Sequence, residues 1–149
     1  MIKREQVVKE ALSWIGTPYV HQASLKLIGV DCIGLIRGVA RGVGLEDPFV
    51  CGKAREFEGY SQYPNPTLLT LACEEFMTRV KISEATLADV LVFNFVDRGI
   101  SQPQHFGIIS RTNPNYIIHS LAGHKVVEHH LSPLWQARVM SAYQLRGVI

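Results

Sequence analysis

A chain of 149 residues that is 47% hydrophobic and 19% charged has the composition of one ordinary domain with a real core, which excludes a disordered chain. Lys and Arg number 15 against 13 Asp and Glu, a net charge of +2 with no dense basic run, which argues against nucleic acid as a partner. Three cysteines, Cys32, Cys51 and Cys73, none in a CxxC pair, exclude a disulfide framework and a cysteine-based zinc site, and no apolar run reaches membrane-spanning length.

The N-terminus carries charge with no hydrophobic region behind it. Synthesis in the cytoplasm without a signal peptide is therefore expected. From Lys3 to Ile15, Val7, Val8, Ala11, Leu12 and Ile15 recur at helical spacing and predict a helix with one apolar face. Gly16-Thr17-Pro18 ends it, because glycine suits the cap and proline cannot continue the helix. A polar loop, Tyr19 to Ser24, follows. The next apolar run, Ile33 to Val43, predicts a second helix, with Gly34 and Gly38 on one face where another element can approach closely. Residues 46–66, rich in Gly and Pro, read as a surface excursion of the kind that covers a cleft. Thr67 to Val80 predicts a third helix, with Leu68, Leu71, Ala72, Phe76 and Val80 as its buried stripe and Cys73 as plain core.

After Ala88 the texture changes to short β-rich runs. These are Val90–Val96, Phe106–Ser110, Tyr116–Ser120, Lys125–His129 and Val139–Tyr143, separated by turn signals at Asp97-Arg98-Gly99, Thr112-Asn113-Pro114-Asn115 and Ala122-Gly123-His124. Helices first and a strand meander after them predict an α+β domain, with N-terminal helices packed on a C-terminal antiparallel sheet. No linker or repeat divides the chain, so residues 1–149 read as one domain.

The chemistry centres on Gly29-Val30-Asp31-Cys32-Ile33-Gly34-Leu35. This places Cys32 at a helix N-terminus, in the positive end of the macrodipole, which favours the nucleophilic thiolate at neutral pH. A cysteine nucleophile needs a base, and the base needs a third group to hold its ring. His105 opens one strand and His119 closes the next. A turn at Asn113-Pro114-Asn115 makes those strands antiparallel neighbours and brings both histidines to one edge of the sheet. A metal site drawn from His105, His119, His129 or His130 and Cys32 is the weaker reading, since no HExxH or HxH pairing supports it. No metal and no cofactor are expected. His124 and His130 read as solvent-side residues, and His21 has no assigned role.

These residues together resemble the NlpC/P60 cysteine peptidases, a papain-like family that cleaves cell-wall peptides. The resemblance covers most of the chain. Gly16-Thr17-Pro18-Tyr19 is similar to the family's first motif and Asp31-Cys32-Ile33-Gly34-Leu35 to its nucleophile box. Ala88-Asp89-Val90-Leu91 resembles its Gly-Asp-Val-Leu strand start, His105-Phe106-Gly107-Ile108 its base strand, and Ile118-His119-Ser120 its third polar position. The resemblance implies Cys32 as nucleophile, His105 as general base, His119 as the orienting third member, and Tyr19 and Asp31 lining the substrate site. It implies hydrolysis of peptidoglycan stem peptides. The wording of Tyr19-Val20-His21-Gln22 and Leu35-Ile36-Arg37-Gly38-Val39 most resembles a branch encoded in phages, prophages and gene-transfer agents. That implies a protein associated with a virion or tail, with phage tail proteins as partners, and leaves a tail assembly part with weak or no hydrolysis as the alternative. Three departures stand out. Ile33 replaces the usual Ser, His21-Gln22-Ala23-Ser24 replaces a glycine pair, and Ala88 replaces a glycine.

Overall fold

The computed structural model describes residues 1–47, 66–97 and 100–149, the side chains of 66–69, 95–97 and 100–104 excepted. The excursion expected over 46–66 therefore lies outside the described residues from 48 to 65, as does Cys51.

Helix α1 runs Arg4–Leu12 and buries Val7, Val8 and Ala11. It ends sooner than its spacing suggests. Trp14 N–H donates to Ala11 O and Ile15 N–H to Leu12 O, three-residue closures that tighten the chain out of the helix. Leu12 and Ile15 are consequently exposed, and Trp14 takes the buried place. Residues Ser24–Leu25 (β1) and Gly29–Val30 (β2) then form a short antiparallel ribbon that begins where the expected loop, Tyr19 to Ser24, ends.

Helix α2 spans Cys32–Gly42 and buries Ile33, Leu35, Ile36, Val39 and Ala40. Gly34 and Gly38 serve close approach, as their spacing suggests. A Cβ on Gly34 would lie 2.1 Å from the carbonyl oxygen of Ala23, and one on Gly38 would lie 2.3 Å from the Trp14 ring. Each glycine costs the helix about 1 kcal/mol against alanine. Fully burying one side chain such as Ile36 contributes about 1.5–3 kcal/mol, so the packed face decides the conformation.

Helix α3 covers Pro66–Phe76 rather than continuing to Val80. Met77–Val80 is strand β3, paired antiparallel with the last strand from Met77↔Leu145 to Val80↔Ala142. Met77 turns inward while Thr78 and Arg79 stay exposed, and β-branched Thr78 and Val80 suit the edge of a sheet better than a further helical turn. The remaining elements are β4 (Val90–Asp97), β5 (Ile100–Arg111), β6 (Tyr116–Ser120), β7 (Val126–His130), α4 (Pro133–Gln136) and β8 (Val139–Leu145). The short α4, begun by Ser132-Pro133, has no counterpart in the sequence reading. The six long strands form one sheet in the order β3-β8-β4-β5-β6-β7, each neighbour antiparallel.

Alternation along the strands divides the core between the two faces of the sheet. Val90, Val92, Phe106, Ile108 and Ile118 meet α1 and α2, while Leu91, Phe93, Ile109 and Ile117 meet Leu131 and Trp135. The start of β4 is tied to the first helix. Arg4 Nη1 lies 2.5 Å from Asp89 Oδ1 and 2.6 Å from Leu87 O, and Asp89 Oδ2 accepts the Thr86 N–H at 2.9 Å. Between them Ala88 holds φ +70°, a left-handed conformation that favours glycine. Ala88→Gly should therefore leave the thermal midpoint unchanged or raise it, with a gain of up to about 1 kcal/mol. A lowered midpoint in a melting scan would mean that the Ala88 methyl matters more as core than as strain. No helix among the described residues is long and apolar enough to cross a membrane.

Candidate active site

Cys32 is the first residue of α2, and Asp31 is its N-cap. The Asp31 carboxylate is buried and accepts the Gly34 N–H at 2.7 Å and the Gln22 N–H at 2.8 Å, with His21 Nδ1 at 3.9 Å. One side chain thus caps the helix and folds loop 21–24 over its first turn. Ser24 Oγ adds a bond to Gly34 O at 2.7 Å. Tyr19 is half-buried on a segment that bridges two elements. Gly16 N–H donates to Val126 O and Tyr19 N–H to His124 O on one side, while Val30 N–H donates to Pro18 O on the other.

Sequence reasoning expects the helix start to favour the Cys32 thiolate. The structure corrects that expectation. The sulfur does meet amides, those of Phe106, Ile33 and Cys32 itself, and they pull its pKa down. Burial, and after it the Asp31 carboxylate, outweigh them and push the thiol up to about 12. The resting group is a thiol, and reaction requires a base to take its proton. Cys73 is buried as expected, and burial, with Glu74 beside it, pushes that thiol to about 12 as well.

The Phe106 amide at the sulfur places Cys32 against β5 one residue after His105. The hairpin expected at Asn113-Pro114-Asn115 forms, with Ile108 opposite Ile118 and Ile109 opposite Ile117. That register sets His119 beside Gly107, whose missing side chain leaves room, since a Cβ there would lie 3.6 Å from His119 Cβ. His105, two residues before Gly107 on the same face, reaches His119 diagonally. His105 Nε2 lies 2.6 Å from His119 Nδ1, and both rings are buried. Burial, then His119 and then His129, hold His105 well below the usual histidine pKa. Burial first, with His129 and His124 after it, lowers His119 to about 4. Both rings are neutral at pH 7.

Three residues of this site were absent from the catalytic reading of the sequence. His129 on β7 continues the diagonal, its Nε2 2.7 Å from His119 Nε2. Pairing of Ile117 with His129 and of His119 with Val127 produces that offset, and the turn at Ala122-Gly123-His124 was the signal for it. Trp135 of α4 covers the row, its ring centroid 6.3, 5.0 and 5.4 Å from those of His105, His119 and His129. Ser120 Oγ donates to Val30 O at 2.8 Å, fastening β6 beside His119 to the residue two before Cys32. His124 and His130 are exposed. Among the described residues no group of three or more His, Cys, Asp and Glu is arranged to hold a metal ion. His105 Nε2, both nitrogens of His119 and His129 Nε2 bond along the row.

No protein-family model and no curated protein matches this chain in sequence. Solved structures resemble it over 95% of its length. They include a protein similar to lipoprotein, of the NLP/P60 family, from Staphylococcus aureus (TM-score 0.64, 22% identity, 41% of that chain covered). The NlpC/p60 domain of the peptidoglycan hydrolase SagA is another (TM-score 0.62, 23% identity, 98% covered). An NlpC/P60 family protein from Bacillus cereus is a third (TM-score 0.65, 15% identity, 40% covered). The chain spans about two fifths of the Staphylococcus and Bacillus proteins and nearly all of the SagA domain. Helices carrying a cysteine at the start of α2, laid on a six-stranded antiparallel sheet that carries the histidines, give this chain the papain-like fold of NlpC/P60 domains.

Proposed function

We propose that this protein is a cysteine peptidase that hydrolyses the peptide stems of peptidoglycan, with Cys32 as nucleophile, His105 as general base and His119 as the residue that orients it. The observation that carries the reading is the meeting of the α2 start with β5, where the Cys32 sulfur sits at the Phe106 amide and the adjoining His105 is bonded to His119 at 2.6 Å. The likeness in fold to the NlpC/p60 domain of a peptidoglycan hydrolase supports the substrate class. The wording of residues 19–22 and 35–39 supports an origin in the phage- and prophage-encoded branch, delivered with a tail.

The chemistry follows from the neutral resting state. Cys32 Sγ attacks the scissile carbonyl as its proton passes to His105. The carbonyl oxygen becomes an oxyanion, which the amides at the first turn of α2 stabilise. His105 returns the proton to the departing amine and leaves a thioester on Cys32. Water, deprotonated by His105, then releases the carboxylic acid and restores the thiol. Tyr19 walls the cleft, and Asp31 acts on it through the loop that it holds.

Purified sacculi incubated with the protein should release new amino and carboxyl ends and no reducing sugar ends, and Cys32→Ala should lower that release by about 10³-fold or more. Reducing ends would make the protein a glycosidase. Release that persists in Cys32→Ala would remove the cysteine from the chemistry.

A further inference from the structure

We infer that His129 is a positioning and proton-relay residue that sets the tautomer of the whole histidine row and draws the proton of Cys32 outward through it. The inference rests on Cys32 and His105 being the reacting pair. It goes beyond a Cys-His-His site by giving a fourth residue a defined task.

A backbone carbonyl fixes the direction of the row. His129 Nδ1 lies 2.9 Å from His130 O. A carbonyl oxygen only accepts, so His129 Nδ1 carries the hydrogen, and in the neutral ring Nε2 is a lone pair. His119 Nε2, 2.7 Å away, must then be the donor, which leaves His119 Nδ1 as a lone pair. His105 Nε2, 2.6 Å from that nitrogen, must in turn donate. His105 Nδ1 is thereby the basic nitrogen, the form needed to take a thiol proton. One backbone oxygen at the edge strand orders three rings, and every bond in the row has one donor and one acceptor. The neutrality of His105 and His119, enforced by their burial, is the condition for this order.

The same order makes a path. When the Cys32 S–H bond breaks and His105 Nδ1 gains the proton, His105 Nε2 gives its proton to His119 Nδ1, and His119 Nε2 gives its own to His129 Nε2. Each inner ring ends neutral in the opposite tautomer. The single positive charge rests on His129, whose Nδ1–H stays on His130 O. Departure of the leaving group reverses the sequence. His129 is half-buried on the outermost strand, whereas His105 and His119 are buried. A cation is better solvated at the first position than at the other two. Most groups facing His129 are uncharged rings, and the one cation near them, Arg138, works against the charge. β6 and β5 present His119 and His105, and α4 presents the uncharged Trp135, with Arg138 on its ring. Along β7, Glu128 bonds to Arg111 and His130 packs on Tyr116.

Two measurements on the full chain test this without any peptide substrate. Nitrogen-15 NMR of the wild-type protein at pH 7 should give protonated Nε2 and lone-pair Nδ1 for His105 and His119, and protonated Nδ1 for His129. The opposite tautomer at His105 overturns the proposal. Peptide-mapped alkylation of Cys32 by iodoacetamide across pH then separates positioning from relay. His129→Gln can still accept from His119 Nε2 but takes no proton. It should keep the NMR pattern, slow alkylation by about tenfold and shift its pH profile upward. His129→Phe should lose both the pattern and the rate. An alkylation rate and pH profile unchanged in both variants would overturn the inference. If the row behaves as stated while peptidoglycan is left uncut, the relay stands and the substrate assignment fails.

Discussion

Acidification from pH 7 to about pH 4 should remove about 3 kcal/mol of folding stability through His119 alone. The unfolded chain binds a proton at this residue near the ordinary value of 6.5, and the folded protein does so only near 4. A histidine lowered in the folded state contributes stability that is fully present above the unfolded pKa. It is lost as pH falls from 6.5 toward 4, and the loss levels off below that. His105, lowered for the same reason of burial, acts in the same direction. Urea unfolding at several pH values across that window, for the wild type and for His119→Gln, isolates the effect from general titration of carboxylates. The account predicts a midpoint that falls through the window in the wild type and a flatter curve in His119→Gln. Parallel curves would mean that the row does not bury uncharged imidazoles.

Gly34→Ala should cost about 3 kcal/mol and displace the loop over the candidate site. The new Cβ would stand 2.1 Å from a backbone oxygen, that of Ala23, and 3.0 Å from Asp31 Oδ1. Neither is the loose end of a flexible chain, because loop 21–24 is held by Asp31 to Gln22 N–H and by Ser24 to Gly34 O. Either the loop lifts or the first turn of α2 moves, and Cys32 moves with it. Gly42→Ala is the control on the same helix. There the nearest atoms belong to the side chain of Glu10, which can turn away at the cost of its bonds from Trp14 Nε1 and Lys26 Nζ, so the change should cost about 1–2 kcal/mol, less than at Gly34. Equal stability of the two variants, read from chemical unfolding, would contradict the close-approach account of Gly34.

The sequence was most legible where one physical constraint acted alone. The hydrophobic spacing of residues 33–43 has a single helical solution, and α2 occupies Cys32–Gly42. The Asn113-Pro114-Asn115 turn left β5 and β6 little choice but to pair, and the pairing joined His105 to His119. Legibility failed where local propensity competed with tertiary partners. Met77–Val80 has helical spacing, yet the edge of β8 was available and the segment became a strand. Trp14 displaced Leu12 and Ile15 from the core because Gly38 offered a flat seat for its ring. His129 was visible in the sequence, but its membership of the row depends on a diagonal offset across two strand pairs. The protonation of Cys32 is hidden from the sequence for a similar reason. A helix start is legible, whereas the desolvation of its sulfur depends on how β5 packs beside it.

Mass spectrometry of defined muropeptides, incubated with the reduced wild-type protein and with Cys32→Ala, tests the central claim most directly. The account predicts a fragment pair, with the mass of one water added across a single stem-peptide bond, that forms with the wild type and disappears with Cys32→Ala. Intact muropeptides in the presence of folded, reduced wild-type protein, or the same fragments from both proteins, would contradict it.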